Sequence, residues 1–200
     1  MYFALAALTF GVVSGIKPGP LGVYVIHQTM SKGIYSGFLA SLAPIVTDGP
    51  IILLALLFTF QLNDIDWFIS SISAFGAIYL AYLAYKIVKA PSVVDPTSSK
   101  TENSSLVTAV KINILNPGPY IFWLTIGSSY ILMGSEVDAA VFIFCAIFSL
   151  CVTKFVVAVV IMKLGEHFNP RVYSIVLRSL AVPLLFFSVQ LLIASISIWH

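Results

Sequence analysis

Charge is what this chain has least of. Asp, Glu, Lys and Arg make up 9% of its 200 residues, against about 25% in an ordinary soluble domain. With 60% hydrophobic residues and a mean hydropathy of +1.03, that scarcity points to a bilayer. The other absences narrow the function. The net charge is only +2 and no basic stretch is dense enough for nucleic acid. There is no glycine-rich loop ending in Gly-Lys-Ser/Thr and no room for a soluble nucleotide domain, so ATP hydrolysis within this chain is excluded. Neither a Ser/His/Asp set nor His-Glu-x-x-His is present, which argues against an intramembrane hydrolase and for a protein that is not an enzyme. His27, His167 and His200 are scattered, two expected on loops and one at the terminus. None has further ligands at metal spacing, so no metal and no cofactor is expected. The 2 cysteines, Cys145 and Cys151, stand roughly 600° apart on one helix and so on different faces.

What the chain does have is long apolar stretches and two copies of one interruption. Lys17-Pro18-Gly19-Pro20 and Asn116-Pro117-Gly118-Pro119 lie near the midpoints of the two halves. Proline lacks a donor and clashes with the preceding turn, so each copy should unwind or kink a membrane helix. Irregular backbone at membrane depth is tolerated where protein or a wet cavity surrounds it. Paired interruptions in two halves point to a transporter's binding site.

A span takes roughly 20 apolar residues, and spans are expected at about 1–21, 34–60, 67–88, 106–133, 138–162 and 177–199. The apolar opening from Met1 to Ile16 carries no charge before Lys17, so it reads as a first span rather than a cleaved signal. The fold class expected is therefore all-α integral membrane, one domain over 1–200. Its six helices form two inverted three-helix repeats, with proline-broken helices 1 and 4. The first repeat is 1–89 and the second 106–200. Between them 90–105, rich in Pro, Ser, Thr and Asn, reads as an exposed loop. The turns with Asp64 and Asp66, and with Glu136 and Asp138, hold no Lys or Arg. The others hold Lys32, then Lys86, Lys89, Lys100 and Lys111, then Lys163, Arg171 and Arg178. Basic connections stay in the cytoplasm, which makes the 90–105 linker cytoplasmic and leaves both termini outside. Trp67, Tyr173 and Trp199 fall near span ends, where aromatic rings favour the interface. Ala74, Ala77, Ala81 and Ala84, and likewise Gly11 and Gly15, make small faces for helix packing.

Asp48 stands near the centre of the second span, between Pro44 and Pro50, with Ser41 and Pro44 on its face. An acid there costs about 2.5–3.5 kcal/mol and usually faces an interior or a wet pathway. It reads as a site for a substrate amine or a proton, or as a protonated structural aspartate. Thr153-Lys154 stands in the fifth span about where Thr47-Asp48 stands in the second. Inverted symmetry would bring the two charges together as a pair that substrate or a proton can break. The alternative is a lysine that snorkels inward. Asn113, Asn116, Tyr120, Trp123 and Gly127 follow a 3-4-3-4 spacing that lines one face. Pro117 frees the Asn113 carbonyl and Pro119 that of Leu115, a setting suited to a zwitterion; Asn116 is equally an ordinary helix cap. Lys17 could meet a carboxylate or serve as an interfacial anchor. Arg178 and Gln190 flank a break expected at Pro183.

At these motifs the chain resembles the lysine exporter superfamily of amino-acid efflux proteins. The shared features are Pro18-Gly19-Pro20 and Asp48, then Phe75-Gly76-Ala77-Ile78-Tyr79-Leu80 through Lys86, and Asn116-Pro117 leading into Phe122-Trp123. The resemblance covers nearly the whole chain. It implies export of amino acids or related solutes across the cytoplasmic membrane, driven by an ion gradient, by a homodimer. It also implies that the Pro-Gly-Pro segment, Asp48 and Asn116-Pro117 line the pathway. Where the family often has lysine after Asn-Pro this chain has Gly118, and Lys154 lies outside the shared pattern.

The function expected is a proton-coupled secondary exporter of small amino acids, working by alternating access. Asp48 would bind substrate or proton, Lys154 would respond to its occupancy, and Asn116 with the freed carbonyls would orient the substrate. Two other readings stand beside it, a divalent-cation exporter of the same superfamily and a membrane thiol redox carrier. The partners expected are the amino acid, the coupling proton and the lipid bilayer.

Overall fold

In a computed structural model of the chain, residues 2–17, 19–59, 65–89, 102–165, 172, 175 and 178–197 are described. Pro18, Asp64, His167, Arg171, Tyr173, Trp199, His200 and linker residues 90–101 lie outside them. The helices are α1 (Tyr2–Ile16), α2 (Pro20–Lys32), α3 (Ile34–Ser41), α4 (Ala43–Thr59) and α5 (Ile65–Lys89). After the linker come α6 (Glu102–Ile114), α7 (Pro117–Phe122), α8 (Ser128–Met133), α9 (Glu136–Gly165) and α10 (Ala181–Ser197). A π-helical segment, Trp123–Gly127, joins α7 to α8. There is no strand among the described residues.

Both interruptions break their helices, and after each the chain resumes as helix. α1 and α2 meet at 64°. The stretch after Pro20, expected between spans as a loop, is a 13-residue helix, so His27 is helical. Proline at the first helical position has its φ preset and lacks only a donor that would be orphaned anyway. Gly33 ends α2 at φ +90, a conformation that favours glycine, and the chain turns into α3. Leu42 separates α3 from α4, with Pro44 in the first turn of α4 and Pro50 inside it. α6 begins at Glu102, inside the stretch read as loop. Glu136 and Asp138 belong to the first turn of α9 rather than to a connecting turn. There Ser135 N and Oγ both donate to Asp138 Oδ2 at 3.2 and 2.7 Å, as in a capping box. The break expected at Pro183 falls at Leu180, with Pro183 in the first turn of α10. Pro183 has no N–H for the carbonyl four residues back, so the turn precedes it.

The packing exchanges the two halves. α1 lies along α9, while α6 lies along α3 and α4. α2 also meets α9, and the α7–α8 arm meets α4. α5 packs on α10, the two running antiparallel: Ser70 Oγ donates to Ser195 O and Ser188 Oγ to Ala77 O, both at 2.7 Å. Ala77 and Ala84 are buried in this region, as their small-residue spacing leads one to expect. α1 and α9 run parallel, because a Cβ on Gly11 would overlap Ser149 Oγ and one on Gly15 would come within 2.5 Å of Thr153 Cβ.

Much of the outside is apolar. Val141, Phe144, Phe148, Val152, Val156 and Val160 are exposed along α9, and so long an apolar face marks a membrane or partner contact. Among the described residues Ile34–Leu57 and Glu136–Gly165 are long and apolar enough to cross a bilayer, and α1–α2 makes a third if the bent pair counts as one.

Candidate functional site

Asp48 and Lys154 are the only buried charges among the described residues, 3% and 7% exposed. Each is met by backbone or side chains from around one of the breaks.

Asp48 sits on the inner face of α4 with Pro44 and Thr47, all buried, and Ser41 at the end of α3 is buried too. Three donors converge on its carboxylate. Asn113 Nδ2, from the end of α6, donates to Oδ1 at 3.1 Å and to Thr47 Oγ1 at 2.6 Å. Trp123 Nε1, from the start of the π segment, donates to Oδ2 at 3.1 Å. Thr47 Oγ1 has one proton and stands 3.1 Å from Ala43 O and 3.2 Å from Asp48 Oδ1. Asn113 and Trp123 thus reach the acid from opposite sides of the second break. A carboxylate offers about four acceptor positions, so these donors leave at least one open.

The π segment explains how the indole arrives. The extra residue in a π turn re-aims side chains and is common at functional sites. Ser128 N reaches back five residues to Trp123 O, and Ser128 Oγ lies 2.6 Å from Trp123 O and 2.7 Å from Leu124 O. Gly127 has no Cβ, and one there would overlap the Trp123 ring. Trp123 and Gly127 belong to the stripe read from spacing; the π turn between them has no sequence signal beyond the Gly127-Ser128 pair. The role of Trp123 on Asp48 is what sequence reasoning missed.

Lys154 points from α9 into the first break. Its Nζ donates to Ser14 O at 3.3 Å. Ser14 is four residues before Pro18, so this is the carbonyl that Pro18 leaves without its helical donor. The ammonium and Asp48 are near enough to interact electrostatically, yet their hydrogen bonds go to different partners. Cys151 is also buried near both charges. Neither Cys151 nor half-buried Cys145 is in a disulfide.

The remaining candidates divide. Asn116 is the N-cap of α7, accepting from Gly118 N at 3.1 Å, which is the capping alternative. Tyr120 Oη donates to Ile114 O at 3.0 Å, the carbonyl whose usual donor Asn116 has taken. Pro117 and Tyr120 are buried, and Pro119 is half-buried at the start of α7. Gly19 caps α2, where a Cβ would meet nothing within 4 Å, and Pro20 is buried in the first turn. Lys17 is exposed, as an anchor would be. Among the described residues no three His, Cys, Asp or Glu side chains gather to hold a metal.

No curated protein and no solved structure matches the chain. The model of the LysE type translocator family matches residues 12–195, a stretch that takes in both breaks and both buried charges. By that match this membrane protein belongs to the LysE type translocator family.

Proposed function

We propose that the chain is a secondary exporter that moves small amino acids or related solutes out of the cytoplasm against an inward proton gradient. The observation that carries this reading is the Asp48 cage, in which an acid deep in the apolar chain is held by donors from both sides of a broken helix. Binding sites of alternating-access transporters lie where discontinuous helices meet. The open acceptor position on Asp48 suits an ammonium group or a proton, and competition between the two there would couple export to proton entry.

The arrangement of elements supports two inverted repeats of three spans, 1–89 and 106–200, joined by a cytoplasmic linker. In six spans with both termini outside, the first and fifth run parallel and the third and sixth antiparallel. α1 with α9 and α5 with α10 have those senses. Pro18, Gly19 and Pro20 with Pro117, Gly118 and Pro119 would be the joints about which the halves rock. Asn116 and Tyr120 would hold the second joint, and the protein would work in the cytoplasmic membrane as a homodimer.

The test is efflux from proteoliposomes preloaded with labelled amino acids, with and without an imposed proton gradient. Gradient-dependent loss of one class of amino acid, abolished in Asp48→Asn, is the expected result. Absence of any flux from correctly folded protein would sink the reading.

A further inference from the structure

The amine end of an amino acid has a partner in Asp48, and the chemistry of the first break supplies the other. Lys154 is 93% buried by its 7% exposure, and it has three N–H donors. One goes to Ser14 O at 3.3 Å. The other two find no acceptor among the described residues. The ammonium lies beside the first turn of α2, where a Cβ built on Gly22 would come 3.6 Å from Nζ. The N–H groups of Leu21 and Gly22 belong to that turn and have no carbonyl of their own helix to reach. Gly19 caps α2 with no side-chain bond, and there is open space around it. The amide donors of that turn, the positive end of a helix dipole and a buried ammonium with spare donors thus lie close together.

We propose that Lys154 and the first turn of α2 form a subsite for the carboxylate of a zwitterionic substrate. The inference rests on the exporter reading above and adds to it the chemical group that is recognised. A buried ammonium already satisfied by a carboxylate would leave no such role, but Lys154 has only a carbonyl. A small α-amino acid carries its ammonium and carboxylate on the same carbon, a few ångströms apart. It could therefore bridge the two buried charges, its carboxylate at the first break and its ammonium at Asp48. A substrate that lacks the carboxylate would leave the Lys154 donors without an acceptor, and sites built this way discriminate strongly.

The experiment uses the full chain in proteoliposomes with the membrane potential clamped at zero. One set is preloaded with a labelled mixture of the common L-amino acids, a second with the α-carboxamides of the same compounds. At least one acid should leave the wild type ten times faster than its amide. Lys154→Gln should bring the two rates together by slowing the acid. Gly22→Ala keeps the lysine and meets it only at van der Waals distance, so it folds even if the lysine variant does not. It should raise the half-saturating internal concentration of the acid severalfold and leave the amide unchanged. Equal rates for acid and amide in the wild type would overturn the subsite and leave the exporter reading standing. Flux of neither would remove both.

Discussion

Ser14 and Asn113 hold matching places, each four residues before the first proline of a break, and each is met by the buried charge of the other half's long helix. Lys154 of α9 binds the backbone of Ser14, and Asp48 of α4 binds the side chain of Asn113. The chemistry is complementary at each end. A bare carbonyl attracts the cation, and an amide N–H₂ attracts the anion. Both charges are thus held beside the points where the two helices break.

Trp123→Phe removes the indole N–H from Asp48 and leaves the ring packing against Phe142 and Phe122 in place. A hydrogen bond to a charged group contributes about 1.5–3 kcal/mol. The variant should fold, unfold earlier in a detergent thermal melt, and show slower efflux in the proteoliposome assay. Unchanged melting would mean that the indole does not hold the acid.

Gly127→Ala should reach the same site by another route. A methyl there overlaps the Trp123 ring, so the ring must leave the position in which its Nε1 meets Asp48. With Trp67 and Trp199 replaced by Phe, Trp123 is the only fluorophore of its kind. Its emission should shift on Gly127→Ala, while Gly49→Ala, which meets nothing within 4 Å, should leave it unchanged.

These residues also show how far sequence carries. Both breaks, Asp48, Lys154 and the Asn113–Gly127 stripe were legible, because a proline pair or a charge in an apolar run has few physical explanations. α2 was not, because His27, Gln28, Thr29, Ser31 and Lys32 give it a polar C-terminal half that reads as a loop. Gln28 and Thr29 are nonetheless buried, and Ser105 Oγ donates to Gln28 Oε1 at 2.9 Å. Burial of polar groups by pairing across helices leaves no periodic trace. Inverted symmetry leads one to expect Asp48 and Lys154 to pair with each other, whereas their hydrogen bonds go to other groups; which atoms they bond depended on a π turn and an orphaned carbonyl, and neither has a residue signature.

Gly11→Leu should be among the most damaging single changes outside the site. The α1–α9 contact has no room at Gly11, where even a Cβ overlaps Ser149 and approaches Ala146 O to 2.6 Å. Overpacking of a close helix contact costs about 1–3 kcal/mol, and here the neighbour is partly backbone. Folded yield after detergent extraction should fall sharply. Ser188→Ala, which loses one hydroxyl bond between α10 and α5, should lower stability by only about 0.6 kcal/mol.

The electrostatic link between the two halves can be measured by a cycle of Asp48→Asn, Lys154→Met and the double variant. Either single change leaves one charge buried without its counter-charge, and burial of an uncompensated charge is strongly unfavourable. Removing both takes away two charges at once, so the double variant should be more stable than the sum of the single losses allows. Groups that share a network but not a direct bond couple by about 0.5–3 kcal/mol. The lower half of that range is expected here, because each charge bonds to a different partner and the Asn at 48 must still face the donors of Asn113 and Trp123. Thermal unfolding of the four proteins in one detergent gives the coupling directly. A value near zero would mean that the halves communicate through the helix joints alone, and a large one would place the two charges in a single responsive unit.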